Sequence, residues 1–293
     1  YRELSKSLAM SPLYRWFARL PDFEVIRVPG KSTLQGYAHW LPMERMEKVL
    51  DGLTAAVIDP QKAACLGLEQ ELDMACAWVD ATCLKACIHF PTDWVLLRDA
   101  VRTIMKNILT IRRHGLCHRM APPEVFLGQI NALSMQMAAA GRRGRAGGKK
   151  QRKATLRLMK KLSGVAEAHG RRYRKLLDEN WQHSDLSTRA QAEVILRRLD
   201  NVLGQLPEAR RQAHERIIGG RKVPNNEKIL SLYEHDVHVI VRGKAGADVE
   251  FGNSLFLAEN VDGFVIDHQL RCEAAPDDGR WLRERLAGIK AKS

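Results

Sequence analysis

Apolar residues recur at intervals of three and four along most of the chain, and the period drops to two in only two places. The clearest helical stripe lies in "PTDWVLLRDAVRTIMKNILTIRRHG", where Leu97, Val101, Ile104, Ile108 and Ile111 share one face. Thr92 and Asp93 follow Pro91 and can cap the first turn. Arg112, Arg113 and His114 suit the negative end of the helix dipole, and Gly115 can terminate the helix. A second stripe, Met46, Val49, Leu50 and Leu53, predicts a helix with Pro42 in its first turn and "VPGKS" as a breaker upstream. A third, Ile195, Leu199, Val202 and Leu206, predicts a helix over about 187–215.

The first change of period falls at 75–90. There Cys76, Trp78, Val79, Cys87, Ile88 and Phe90 form two short runs, read as two strands or a strand and an extension. The second follows "GGRKVPNNEK", where "VHVIVRG", "VEFGNSLFLAEN" and "GFVIDHQLR" are three strand candidates. "NVDG" at 260–263 predicts a hairpin turn between the last two, since Asp-Gly tolerates positive φ. "PDDGRWLRERLAGIKAKS" then begins a helix. The expected organisation is a helical region at 1–73, a first strand segment at 74–93, a helical block at 94–225, and core strands with a helix at 226–293. Strands separated by a long helical excursion predict a mixed, helix-rich α/β or α+β fold.

Charge narrows the choice of partner. Lys and Arg number 47 against 34 acids, a net charge of +13, which favours a polyanion such as nucleic acid. No apolar run reaches the roughly 18–20 residues of a membrane helix. No basic-then-apolar leader is visible, so a cytoplasmic location and no membrane partner are expected. The six cysteines are irregularly spaced, as suits reduced thiols. Cys83, Cys87, His114 and His118 make a C-x3-C and an H-x3-H pair. The gap between the pairs is far longer than in a zinc finger, and buried thiols with helix-end histidines are the plainer reading.

The positive charge is clustered. "GRRGRAGGKKQRK" at 141–153 carries Arg142, Arg143, Arg145, Lys149, Lys150, Arg152 and Lys153 among glycines. It reads as a flexible basic loop merging into a basic helix, able to follow a phosphate backbone without reading sequence. Arg171 and Arg172 extend it, and Arg242 and Lys244 in "RGKAG" resemble a phosphate-contacting turn. The plainer alternatives are a solvated linker and a basic hairpin turn.

Asp80 closes the short apolar run "CAWVD". A carboxylate at the end of a central strand can reach a ligand from a rigid backbone, and magnesium binds through one or two carboxylates plus phosphate and water. An acid at a strand end is also an ordinary turn residue.

The order of several motifs adds to this reading. "WVDATCLKACIHFPTDWVLLRDAVRTI", followed by "EKILSLYEHDVHVIVRGKAGADVEFGNSLFLAENVDGFVIDHQL", resembles the DDE transposases of bacterial insertion sequences. "KSTLQGYAHWL" is similar to the N-terminal region of that family. The resemblance implies an RNase H-like catalytic core with a large helical insertion after its first strand, and Asp80 as the first acid of the catalytic triad. It implies magnesium or manganese as cofactor, DNA (element ends and target) as partner, a homo-oligomeric synaptic complex, and a bacterial, nucleoid-associated protein. In the complete enzyme, metal-dependent strand cleavage and strand transfer would follow.

The second and third acids of the family's pattern do not occur before Ser293, and the first residue is Tyr1, so a fragment lacking both native ends is expected. Such a fragment should bind DNA without cleaving it. Asp267 reads as a solvated strand position, and Asp277 and Asp278 as helix-capping acids, so none replaces the missing acids. The alternative function is a non-catalytic DNA-binding protein or a decayed transposase. A structure-specific nuclease would require all its acids within this sequence.

Overall fold

The computed structural model describes residues 2–20, 27–40, 43–65, 67, 73, 75–88, 90–142, 145–244, 247–273 and 278–290, excluding the side chains of 17, 35, 38–40, 43, 145–146, 242–244, 247 and 278. The order of elements is α1 (Arg2–Met10), α2 (Pro12–Phe17), α3 (Lys31–Trp40), α4 (Met43–Ile58), α5 (Pro60–Cys65), β1 (Ala77–Lys85), α6 (Asp93–Arg113), α7 (Pro123–Arg142), α8 (Arg145–Asn180), α9 (Arg189–Ala213), β2 (His238–Lys244), β3 (Ala247–Asn260), β4 (Val265–Arg271) and α10 (Asp278–Lys290). The fold is mixed and helix-rich α/β, and four bundle helices lie between β1 and β2. Two compact units partition the chain, one of Tyr1–Trp78, Ala258–Asp267 and Glu284–Ser293, the other of Val79–Leu257 and His268–Arg283.

The larger unit is built on α6. Leu97, Val101, Ile104, Ile108 and Ile111 are all fully buried, as their spacing predicts, and they meet the apolar faces of α7, α8 and α9. A Schellman motif ends α6: Gly115 N–H donates to Arg112 O at 3.1 Å and Leu116 N–H to Ile111 O at 3.3 Å, with Gly115 at φ +89°. The expected N-terminal caps are different. The Thr92 side chain makes no capping bond, and Asp93 is buried against Gln212 and Arg216 instead. Tyr173 fastens the connection after α6: its hydroxyl accepts from His118 N–H at 3.0 Å and donates to His118 O at 2.9 Å.

Two further expectations change here. In the basic stretch 141–153 the described residues are helical rather than a loop: Gly141 and Arg142 end α7, and 145–153 open α8. The glycines that suggested a loop cost helix propensity, yet Gly148 is buried, on the packed side of α8 with Thr155, Leu156 and Met159. The two runs at 75–90 yield one described strand, β1, which continues through Asp80 to Lys85.

The strands form one small antiparallel sheet in the order β1-β3-β2, with β4 also paired to β3. His238 lies opposite Gly252 and Val241 opposite Val249, with an irregularity before the Lys244–Ala247 pair. The predicted hairpin at 260–263 is present: Asn260 N–H donates to Phe264 O at 2.9 Å, and Gly263 takes φ +82°. The buried Asn260 side chain accepts from Asp262 N–H and Phe264 N–H, closing the turn from inside.

In the smaller unit, Ser11 caps α2 by accepting from Tyr14 N–H, and the buried Arg15 donates to Leu8 O and Ala9 O at the end of α1. Helix α4 forms as its spacing predicts, but its stripe faces outward: Val49 is 61% exposed and Leu53 49%. Among its described side chains, Val57 in the last turn is the one that is buried. Among the described residues no helix is long and apolar enough to cross a membrane.

Candidate nucleic-acid interface

Asp80 is the fourth of nine residues of β1, exposed, and flanked by the exposed Val79. It therefore stands within a strand rather than at its end, and its rigidity comes from the β1–β3 ladder. Among the described residues no group of three or more His, Cys, Asp or Glu side chains is arranged to hold a metal ion. Asp80 can supply one carboxylate to magnesium or manganese, and phosphate, water or further acids would have to supply the remaining donors. Cys87 is exposed rather than buried, whereas His114 does occupy the C-cap of α6.

Asp267 is not solvated. It is 2% exposed on β4, where Arg285 of α10 donates Nε at 2.8 Å and Nη2 at 2.6 Å. The side-chain hydrogen bond to Asp267 is the main cause that raises the Arg285 pKa. That pairing is structural, and it withdraws Asp267 from ligand duty. Asp277 lies outside the described residues, as does the Asp278 side chain, although Asp278 does begin α10.

The basic residues gather on α8. Its first twenty residues, Arg145 to Gly164, contain Arg145, Lys149, Lys150, Arg152, Lys153, Arg157, Lys160 and Lys161 and no acid. Burial of Leu156, Met159, Ser163, Ala166, Tyr173 and Leu177 fixes the inner face of the helix. Opposite that face, the exposed Lys150, Arg157, Lys161 and Arg172 recur at intervals of seven, four and eleven, which keeps them in one row. At 1.5 Å per residue the row is roughly 33 Å long, about one turn of B-form duplex.

Acids appear only in the second half of α8, and there they neutralise their neighbours. Glu167 pairs with Arg171 at 2.7 Å and also with Arg210 of α9. Asp178 pairs with Arg174 at 2.7 Å and Arg189 at 2.6 Å, and the Arg189 hydrogen bond holds its carboxyl below the ordinary range. Of the expected DNA contacts, Lys149, Lys150 and Arg172 are exposed on α8, while Arg152 and Lys153 are half-buried. Arg142 is exposed at the end of α7, and Arg171 is already engaged by Glu167. Arg143, and the side chains of Arg145, Arg242 and Lys244, lie outside the described residues.

Sequence reasoning missed Arg157 and Lys161 as members of this surface, although their spacing from Lys150 was the available signal. It also missed Arg216. This residue lies in a π-helical turn, His214–Gly219, after α9, and lines a cleft with the start of α8. Comparison with protein-family models, curated proteins and solved structures returned no match.

Proposed function

We propose that this chain is a DNA-binding part of an insertion-sequence transposase, with an RNase H-like core interrupted by the α6–α9 bundle. The observation that carries the reading is the cationic row of α8, Lys150 to Arg172, which spans about one turn of duplex and begins in a stretch, Arg145 to Gly164, that contains no acid. The order of the "VDAT", "HFPTD", "RGKAG" and "GFVID" motifs supports the transposase assignment over other DNA-binding classes. Binding of this kind is directed at phosphates, so it is strong at low salt and indifferent to sequence. Element ends and target DNA are the proposed partners, in a homo-oligomeric complex. Magnesium or manganese would need further donors besides Asp80.

A non-catalytic DNA-binding role is the second reading, which the cationic surface of α8 serves equally well. Both readings predict that this chain alone binds duplex without nicking it, with or without Asp80→Ala. Magnesium- or manganese-dependent nicking that Asp80→Ala abolishes would overturn the inactivity of the chain alone and rule out the binding-only role.

The shared claim is tested by fluorescence anisotropy with a duplex of arbitrary sequence across a salt series. Replacing Lys150, Arg157 and Lys161 by Gln should lower the slope of log K against log salt by about two to three. Arg172→Gln should lower it by about one, and Arg171→Gln by much less, because Glu167 already neutralises Arg171. A wild-type slope near zero would overturn the reading.

A further inference from the structure

Three elements of the larger unit converge on a cleft of about 490 Å³, lined by Gly141 of α7, Gly148, Lys149 and Arg152 of α8, and Arg216 and Ile217 of the π-helical turn. Its charge is one-sided: three cations line it and, among the described residues, no carboxylate does. Arg216 is the best fixed of the three. Its Nη1 donates to Asp93 at 2.7 Å, and Asp93 is buried and also accepts from Gln212 Nε2 at 2.8 Å. That acid offsets one unit of charge from behind and leaves an excess of two over the cleft. It also holds the guanidinium in place, so less rotamer freedom is lost when an anion arrives. The two glycines contribute no side chain to the walls, so a tetrahedral oxyanion has room beside the cations.

The geometry points to a phosphate-capture site, in which Lys149, Arg152 and Arg216 together hold one phosphodiester group of a DNA backbone. This rests on the DNA-binding reading above and adds a discrete contact to the open row of Lys150, Arg157 and Lys161. Cations along an exposed row each meet a different phosphate, whereas cations around one cleft share a single phosphate. The two arrangements have different salt signatures. Each phosphate neutralised contributes about 0.9 to the slope of log K against log salt for B-form DNA.

The test is a salt series on the full chain with Lys149→Gln, Arg152→Gln, the double variant and Gly141→Leu, with helicity checked by circular dichroism. Gly141→Leu changes no charge and adds bulk to a residue that lines the cleft, and a Cβ at that position meets no atom within 4 Å. A shared phosphate predicts that Gly141→Leu lowers the slope by about one, and that the single variants and the double variant each lower it by no more than about one. Affinity should fall about tenfold. A double variant that lowers the slope by about two, or a Gly141→Leu protein that binds as wild type does, would overturn the cleft while leaving α8 as a binding surface. Absence of wild-type duplex binding would overturn both. A parallel titration with inorganic phosphate at constant ionic strength separates the sources. If the variants lose affinity for free phosphate but not for duplex, the site serves a small anion and the proposal fails.

Discussion

Arg285 grips Asp267 with Nε at 2.8 Å and Nη2 at 2.6 Å, and the acid is 2% exposed. Removing one member of a buried pair costs about 3–5 kcal/mol, more than the intact pair contributes. Arg285→Met should therefore destabilise the smaller unit by that order, as read by urea denaturation. The double variant Asp267→Leu with Arg285→Met should recover most of the loss. If Arg285→Met is neutral, the pairing is not what holds α10 to β4.

Gln212 is the second fastening point. Its Nε2 donates to Asp93 at 2.8 Å and Ile229 O at 3.1 Å, and its Oε1 accepts from Ile229 N–H at 2.7 Å. The amide thus acts towards residue 229 as a neighbouring strand would. Gln212→Leu strands several buried polar groups, and a loss on the order of 3 kcal/mol is expected. Hydrogen exchange gives the sharper readout: the Ile229 amide should lose protection while the amides of α7 keep theirs.

Two glycines of α8 should respond oppositely to alanine. A Cβ at Gly170 would sit 3.0 Å from Ile104 Cγ2 and 3.1 Å from Leu203 Cδ2, both on buried residues of neighbouring helices. At Gly147 nothing lies within 4 Å. Alanine improves helix propensity by up to about 1 kcal/mol, so Gly147→Ala should raise Tm by a few degrees. At Gly170 overpacking of about 1–3 kcal/mol outweighs that gain, and Tm should fall.

His169 gives the bundle a pH dependence. Burial, then the positive charges of Arg172 and His118, hold its pKa below the ordinary imidazole value. Its Nδ1 is buried without a partner, and its ring packs edge-on against Phe126. In this case the unfolded chain binds the proton more readily than the folded one. Stability is full above the ordinary value of about 6.5 and declines as pH falls from there towards the lower folded value. His169→Phe should flatten the stability profile between pH 7 and 5. An unchanged slope would assign the titration to another group.

The legibility of the chain follows the range of the interactions involved. The α6 stripe and its Gly115 stop were readable because spacing and a single backbone conformation determine them, and the same holds for the 260–263 turn. Asp267 was misread because alternation predicts one face of a strand, whereas Ile266 and Asp267 are both buried. Its partner lies eighteen residues away, and no local pattern announces it. The 141–153 stretch was misread because glycine and arginine suggest a solvated loop, while the burial of Gly148 depends on tertiary packing. Lys149 and Arg152 were visible as cations, but Arg216 joins them only through the turn after α9.

Helix α8 carries its charge against its own dipole. Cations crowd the N-terminal half, where the first turn has no acid, and Asp178 and Glu179 stand in the last turn, where there is no base. Each such placement costs an exposed helix about 0.3–1 kcal/mol. If a phosphate backbone lies along the first half, as proposed above, it offsets the cost at that end, while Arg174 and Arg189 already offset part of it at the other by pairing with Asp178. The bound state would then be the one in which the charges of α8 and the polarity of its backbone agree.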